Sequence, residues 1–258
     1  MKSSPEAGLP KVGVIIPAGG KGLRAGGPEP KQFLPLGAGV GSGIGKGARG
    51  GKPMLVYTVE AFHHLDRVES IIVVLPRERM AVYGKLLAAY PKVKLVEGGV
   101  ERWESVRNGF HVLDVGLAHV LVHDAARPFV TEAVIKRCMD AMTLQTCIIA
   151  ALPAADTVKE ISGSTVAKTL DRRSLIMVQT PQVFPRSVLE SVYAASWVGD
   201  APTDEAQMAE RAGCEVTWVL GSESNLKVTV AEDLAWAEWM ARRVDAGETF
   251  PDVLGCPG

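Results

Sequence analysis

Short, almost uninterrupted apolar segments recur along the chain, separated by longer segments in which apolar residues have helical spacing. The apolar segments are residues 12–17, 70–75, 93–96, 119–123 and 147–152. Strands of this composition are typical of a parallel sheet that is covered on both faces. The helical segments between them are residues 53–64, 77–90, 102–114 and 131–142. This alternation predicts the α/β class, as a Rossmann-like three-layer α/β/α sandwich with a mostly parallel sheet.

The alternation stops after Leu152. Residues 153–173 contain two short β-like pieces around Ser162-Gly163-Ser164, which predicts a hairpin that protrudes from the sheet. An isolated two-stranded hairpin is marginally stable in water, so we infer that it is a dimerisation arm that packs against a second subunit.

The α/β pattern then resumes towards the C-terminus. It predicts strands at 176–179 and 215–219 and helices at 186–196, 204–212 and 231–244. Thr229 and Glu232 have the spacing of a capping box at the start of the last helix. We expect a single domain over residues 1–245 and a flexible tail at 246–258.

The balance of charge excludes several classes of function. The chain has 28 Lys and Arg residues against 29 Asp and Glu residues, so no overall field attracts nucleic acid or an anionic membrane. No segment approaches the roughly 20 apolar residues of a membrane-spanning helix, and the first residues lack the apolar core of a secretory signal. The four scattered cysteines form no CxxC pair, and we therefore expect reduced thiols in a cytoplasmic protein.

A glycine-rich, cationic segment at residues 17–33 follows the first predicted strand. Its glycines allow backbone N–H groups to approach an anion closely, and its cations supply positive charge. These residues are Gly19, Gly20, Gly22, Lys21, Arg24 and Lys31. The segment favours phosphate binding over a plain flexible connector, but it matches neither the Walker A loop nor the dinucleotide fingerprint. A nicotinamide-dependent enzyme is therefore disfavoured.

Polar residues also follow two other predicted strands. Asp124 and Arg127 come after the fourth strand, where a carboxylate suits a divalent cation or a hydroxyl group and an arginine suits a phosphate. The alternative is an Asp–Arg pair that only ties the loop. We interpret His123 as structural, because phosphoryl-type transfer needs no protein base. Gly98-Gly99 precedes a helix whose Ser105 either contacts a nucleobase or simply belongs to the helix start.

Taken in order, these segments resemble the 2-C-methyl-D-erythritol 4-phosphate cytidylyltransferase family over residues 12–242. The motifs that carry the resemblance are PAGGKGLR, PKQF, GGVERWES, VLVHDAARPF, DTVK, TLDR, QTPQVF, TDEA and NLKVT. The resemblance implies a nucleotidyltransferase of non-mevalonate isoprenoid biosynthesis that transfers CMP from CTP to a methylerythritol phosphate. It further implies Mg²⁺ as cofactor and a homodimer in which each arm reaches into the partner's active site.

The resemblance also implies roles for individual residues. Those expected to line the cytidine site are Ala18, Gly19, Gly20, Gly22, Gly99, Val100 and Ser105. Those expected to hold the triphosphate and stabilise the transition state are Arg24, Lys31 and Lys227. Those expected to face the sugar phosphate are Asp124, Arg127, Thr180 and Thr203, together with Thr157 and Arg172 of the arm. We expect Mg²⁺ to bind mainly through the CTP phosphates, with Asp124 as the one candidate protein ligand.

The chain departs from the family pattern at a few positions. Leu23 and Val100 stand where a basic and a polar residue are common, and Gly19 replaces an alanine. The largest departure is the insertion at 38–50, within a stretch (37–51) that holds eight of the 27 glycines. Its composition is that of a flexible linker, which indicates a surface loop, with a lid over bound CTP as the alternative. The functional alternatives are a ribitol 5-phosphate or other sugar-phosphate nucleotidyltransferase, or a catalytically silent nucleotide-binding module.

Overall fold

The structure is a computed structural model that describes residues 8–20, 29–37, 51–195 and 201–248. Its strands are β1 (Val12–Pro17), β2 (Pro35–Leu36), β3 (Lys52–Pro53), β4 (Val68–Leu75), β5 (Val93–Glu97), β6 (His119–Val122), β7 (Cys147–Pro153), β8 (Lys159–Ser162), β9 (Thr165–Thr169), β10 (Ile176–Pro185) and β11 (Val216–Leu220). Its α-helices are α1 (Met54–His63), α2 (Met80–Leu86), α3 (Arg102–Val112), α4 (Glu132–Asp140), α5 (Arg186–Ala194), α6 (Glu205–Arg211) and α7 (Ala231–Asp245). Within these residues no helix is both long enough and apolar enough to cross a membrane.

A seven-stranded sheet forms the centre of the described fold, in the order β11-β7-β10-β6-β1-β4-β5. Every neighbouring pair is parallel except those made by β10, which runs antiparallel to both β6 and β7. The predicted mostly parallel α/β fold is confirmed.

Two apolar cores lie on opposite faces of this sheet. Along β1, Val14 and Ile16 belong to one core and Ile15 to the other, as the alternation of side chains in a strand requires. Helices α1, α2 and α4 contribute to the first core, and α3, α5 and α6 to the second. Helix α7 packs in a third, smaller cluster with residues of α1 and β2. The sheet is therefore buried on both faces, which explains its nearly continuous apolar strands.

Three predicted elements differ in detail. Residues 77–90 form not one helix but the short α2 flanked by 3₁₀ turns. Strand β10 continues to Pro185, well past the predicted end at Gln179. The predicted pairing of Thr229 with Glu232 is wrong, because the carboxylate of Asp233 accepts the N–H groups of Thr229 and Val230. The helix itself begins at Ala231, as predicted, and its N-cap is Val230 instead of Thr229.

The hairpin predicted within residues 153–173 is present as β8 and β9. Its turn places Gly163 at φ +58°, a left-handed conformation that favours glycine. Every residue of both strands is exposed, including the cross-strand pair Ile161 and Val166. The hairpin therefore buries neither of its faces against the part of the chain that the structure describes. The predicted insertion at 38–50 and residues 249–258 of the predicted tail lie outside the described residues.

Candidate active site

The carboxyl ends of the parallel strands bring the predicted site residues to one edge of the sheet. Residues Ala18–Gly20 follow β1, Gly98 and Gly99 follow β5, and His123 and Asp124 follow β6. Strand β1 lies between β6 and β4, which in turn pairs with β5. Ligands of open α/β sheets bind in the crevice at this edge, so the fold places these turns where a nucleotide is expected.

The two glycine turns meet at the hydroxyl of Ser105, which lies on α3. The Gly99 N–H donates to Ser105 Oγ at 3.1 Å, and that hydroxyl donates to the Glu101 carbonyl. A Cβ atom on Gly19 would lie 3.5 Å from the same oxygen, and one on Gly98 would lie 3.0 Å from it. The structure thus brings Gly19, Gly99 and Ser105 together, as the nucleotide-site prediction requires.

The turn after β5 is held by the first turn of α3. Glu104 Oε2 accepts the N–H groups of Val100 and Glu101, at 2.9 and 3.0 Å. A Cβ atom on Gly99 would lie 2.4 Å from that of Glu104, so only glycine fits there. The side chain of Val100 is exposed, and its N–H is already bonded. Its backbone therefore offers a ligand the carbonyl oxygen.

Gln32, which the sequence analysis did not single out, holds the turn after β1. Its amide nitrogen donates to the carbonyls of Ala18 and Gly20, both at 2.8 Å, and the side chain is buried. Lys31 precedes it in the same 3₁₀ turn, so Gln32 ties the predicted phosphate-binding lysine to the glycine turn. The predicted site residues Gly22 and Arg24 lie outside the described residues.

Asp124 lies between two cations. Lys227 Nζ is 2.7 Å from Asp124 Oδ2, and Arg102 Nη2 donates to Asp124 Oδ1 at 3.2 Å. Arg102 Nη1 also donates to the buried Glu205, at 2.6 Å. Although burial favours the neutral acid, Arg102 and Lys227 hold the pKa of Asp124 far below its usual range. Asp124 is therefore ionised, and its side chain pairs with Arg102 and Lys227 rather than with the Arg127 guanidinium.

A hydrogen-bond chain through Thr180 connects His123 to the backbone of Asp124. His123 Nε2 lies 3.0 Å from the Arg127 carbonyl, which can only accept, so Nε2 carries the proton. Thr180 then donates its hydroxyl hydrogen to His123 Nδ1 at 3.1 Å and accepts the Asp124 N–H. Burial lowers the pKa of His123 to about 4, so the ring is neutral. His123 acts structurally, as the sequence indicated, and the Thr180 hydroxyl can serve a substrate only as an acceptor.

Arg127 lies largely inside the protein. Its Nη1 donates to the Asn225 carbonyl at 2.7 Å and its Nη2 to the Val178 carbonyl at 3.3 Å. The buried amide of Asn225 in turn donates to Gln179 Oε1 and to the Thr180 carbonyl. These contacts fix the segment that carries Lys227. The predicted contact of Arg127 with a substrate phosphate stays a prediction.

The remaining predicted substrate residues are exposed. Thr203 directly precedes the α6 N-cap, and its N–H donates to Gln207. Thr157 and Arg172 belong to the hairpin base, where Arg172 Nη1 donates to the Ala155 carbonyl at 2.6 Å. Within the part of the chain that the structure describes, no hydrogen bond or ion pair joins Thr157 or Arg172 to the Asp124 cluster.

Comparison with known proteins identifies close relatives. A sequence model of the family described as 2-C-methyl-D-erythritol 4-phosphate cytidylyltransferase matches residues 12–243. The enzyme of that name from Phocaeicola vulgatus is 40% identical over 231 residues, which cover 87% of this chain and 97% of that protein. The one from Syntrophus aciditrophicus is 37% identical over 235 residues, covering 89% and 95%. The crystal structure of 4-diphosphocytidyl-2C-methyl-D-erythritol synthase from Anaerococcus prevotii is similar with a TM-score of 0.73 and 27% identity, covering 91% and 97%.

Proposed function

The chain belongs to the 2-C-methyl-D-erythritol 4-phosphate cytidylyltransferase family, and we propose that its site performs that family's reaction by in-line displacement. The enzyme transfers CMP from CTP to 2-C-methyl-D-erythritol 4-phosphate in the non-mevalonate isoprenoid pathway. A phosphate oxygen of the acceptor attacks the α-phosphorus of CTP. The bond from that phosphorus to the oxygen bridging the β-phosphate breaks, and pyrophosphate leaves with the electron pair. The attacking oxygen is already anionic, so the step needs no protein base.

One observation carries the mechanism: a single turn of α3 joins the two halves of the site. Ser105 Oγ accepts the Gly99 N–H and would lie 3.5 Å from a Cβ atom on Gly19, and Arg102, three residues earlier, contacts Asp124. Residues three apart lie on the same helix face, about 4.5 Å apart along the axis. A nucleotide at the glycine turns would therefore have its phosphates next to the Asp124–Lys227 cluster, where an anionic acceptor must also bind.

The charged residues have distinct proposed roles. Lys31, Arg24 and Lys227 would neutralise the triphosphate and the charge that develops at the α-phosphorus. Asp124, being ionised, would accept hydrogen bonds from acceptor hydroxyl groups, with Thr203 and the Thr180 oxygen beside it. The backbone at Ala18, Gly19, Gly20, Gly22, Gly99 and Val100, with Ser105, would line the cytidine.

Magnesium is the cofactor that the resemblance implies. Asp124 does not suit it in this arrangement, because its two carboxylate oxygens contact Arg102 and Lys227. Among the described residues, no group of three or more His, Cys, Asp or Glu side chains could hold a metal ion. We propose that Mg²⁺ enters with the CTP phosphates. Activity should then follow the concentration of the Mg²⁺–CTP complex in the parent and in Asp124→Asn alike.

We propose that the hairpin forms a homodimer contact. Ile161 and Val166 are 67% and 57% exposed and lie opposite each other on one face of the ribbon. A two-stranded ribbon is only marginally stable alone, so we infer that this apolar pair packs against a second subunit. In the dimer, Thr157 and Arg172 would reach the partner's acceptor site.

Since CTP and sugar phosphates are cytoplasmic metabolites, we propose the cytoplasm as the location of the protein.

The arm is tested by placing a charge on its apolar face. We expect Ile161→Asp with Val166→Asp to shift the protein from dimer to monomer in sedimentation velocity and to reduce turnover. Thr165→Asp, on the neighbouring position of the same strand, is the control and should leave the dimer intact. A parent protein that sediments as a monomer while fully active would contradict the proposal.

Pyrophosphate release tests the reaction itself. The purified chain should release pyrophosphate from CTP with 2-C-methyl-D-erythritol 4-phosphate and far more slowly with ribitol 5-phosphate. Lys31→Ala should lower turnover by about two orders of magnitude or more, as loss of a transition-state charge contact does, while the urea unfolding curve stays unchanged. Faster release with ribitol 5-phosphate would reassign the acceptor, and no release with either would leave a silent nucleotide-binding module.

A further inference from the structure

Four charged side chains of alternating sign form a row from the protein interior to the candidate active site: Glu205, Arg102, Asp124 and Lys227. Arg102 bridges the two carboxylates, with Nη1 2.6 Å from Glu205 Oε2 and Nη2 3.2 Å from Asp124 Oδ1. Lys227 Nζ completes the row 2.7 Å from Asp124 Oδ2. Each of the two inner residues is therefore held from both sides.

Glu205 lies at the buried end of this row and cannot touch a substrate. The exposed side-chain fraction is 0% for Glu205, 12% for Asp124, 29% for Arg102 and 44% for Lys227. Within the described residues, Arg102 is the only side chain that hydrogen-bonds the Glu205 carboxylate, whose Oε1 is unpartnered. Burying a carboxylate in this way adds little stability compared with an apolar residue. Its place in the structure therefore calls for another explanation.

The backbone around Glu205 is firmly fixed. The buried Gln182 of β10 donates to Asp204 Oδ2 at 2.9 Å and accepts the Ala206 N–H at 3.3 Å. Glu205 thus stands at the start of α6 between two residues tied to the central sheet. A carboxylate on such a support offers Arg102 an anchor whose position does not depend on bound substrate.

We propose that Glu205 is a positioning residue for CMP transfer, which acts through Arg102 to hold Asp124 and Lys227 in the arrangement that the proposed reaction uses. With Glu205 anchoring one edge of the guanidinium, Arg102 presents its Nε and Nη2 edge to Asp124. Without that anchor, Arg102 is free to turn both amino groups towards Asp124. Arg102 alone then neutralises the Asp124 carboxylate, so the ion pair between Asp124 and Lys227 is lost. The lysine ammonium then moves away from its place beside the reacting phosphates.

The test compares two carboxylates of α6. Glu205→Gln keeps the shape of the side chain and removes its charge, and Glu210→Gln does the same at an exposed position of the same helix. We expect Glu205→Gln to lower kcat about tenfold to a hundredfold, since small displacements of reacting groups have effects of this size. The KM for CTP should rise by a smaller factor than kcat falls, because the glycine turns proposed to bind the cytidine are untouched. Glu210→Gln should match the parent in both constants.

A second variant separates positioning from folding. Arg102→Lys keeps the charge but cannot bridge two carboxylates as a planar fork does, and it should show a similar loss of kcat. If Glu205 acts through Arg102, the double variant should lose no more than the stronger single variant. A folded Glu205→Gln with kcat within about twofold of the parent, or multiplicative losses in the double variant, would overturn the proposal. If Glu205→Gln fails to fold, a kcat of Arg102→Lys equal to that of the parent would overturn the proposal instead. The parent's rate in the same assay tests the reaction separately.

Discussion

His123 makes the folding stability of this protein depend on pH in a predictable window. Burial lowers its pKa from 6.5 to about 4 in the folded state, while the unfolded chain keeps a pKa near 6.5. Between these values the unfolded state binds the proton and the native state does not. The native state is therefore favoured fully above pH 6.5, and this contribution is lost as the pH falls towards 4.

The size of the effect follows from the shift. One pKa unit corresponds to about 1.4 kcal/mol, so the full loss is about 3 kcal/mol, of which about 2 kcal/mol is already lost near pH 5. The neighbouring carboxyl groups of Asp124 and Glu205 change the folding stability at other pH values or in the opposite direction. The contribution of Asp124 is lost only below the ordinary carboxyl range, because its native pKa is depressed. Burial raises the pKa of Glu205, so its contribution weakens as pH rises above the carboxyl range.

A matched variant isolates His123 from these groups. His123→Gln retains an amide N–H for the Arg127 carbonyl but does not titrate. The free energy of unfolding in urea, measured from pH 7.5 to 4.5 for both proteins, gives a difference in which the other groups cancel. This difference should change by about 2 kcal/mol between pH 7 and pH 5. His111→Gln, at an exposed position of α3, is the control for loss of a histidine. Parallel curves for parent and His123→Gln would refute a buried neutral ring.

Two further substitutions test the packing of α3 against the sheet and the shape of the glycine turn after β1. Gly109→Ala would place a Cβ atom 2.8 Å from Ile15 Cγ2 and 3.0 Å from Val74 Cγ2. Overpacking should outweigh the gain in helix propensity and lower the free energy of unfolding in urea by about 1 kcal/mol. Gln32→Ala removes two hydrogen bonds from the turn after β1, so steady-state kinetics should show a KM for CTP raised about tenfold. An unchanged KM would mean that the turn holds its shape without Gln32.

The sequence predicted the sheet well because strands that are buried on both faces consist of nearly continuous apolar residues, and this pattern is visible within a short segment. The apolar run at β1 predicted its strand with the observed bounds, and the runs at β4 and β7 predicted theirs within two residues. The length of β10 was not predictable in this way. Pro181 lies inside it, and proline in a central strand argues against a strand. The pairing is irregular between Val178 and Gln182, so the strand accommodates the proline there.

The site was predictable as a set of turns but not as a set of contacts. Glycine turns and polar residues at strand ends could be found in order along the chain, and the fold brings several of them together. The sequence pattern places Arg102 only at a helix start, although it bridges Asp124 and Glu205 across 22 and 103 residues of sequence. Gln32 lies within the PKQF motif, and its sequence position gives no sign of the two carbonyls that it binds. Such contacts join distant segments, and no local periodicity records them.

The reversed direction of β10 explains how one strand serves both the site and the arm. Because β10 is antiparallel to its neighbours, its first residues lie at the edge where β6 and β7 end. Ile176 pairs with Pro153, the last residue of β7, so the hairpin between them leaves the sheet at the active-site edge. Arg127 binds the carbonyl of Val178, near the base of this hairpin, and that of Asn225, two residues before Lys227. Arg127 therefore ties the start of β10, near the hairpin base, to the segment that carries Lys227, and this structural role needs no contact with substrate.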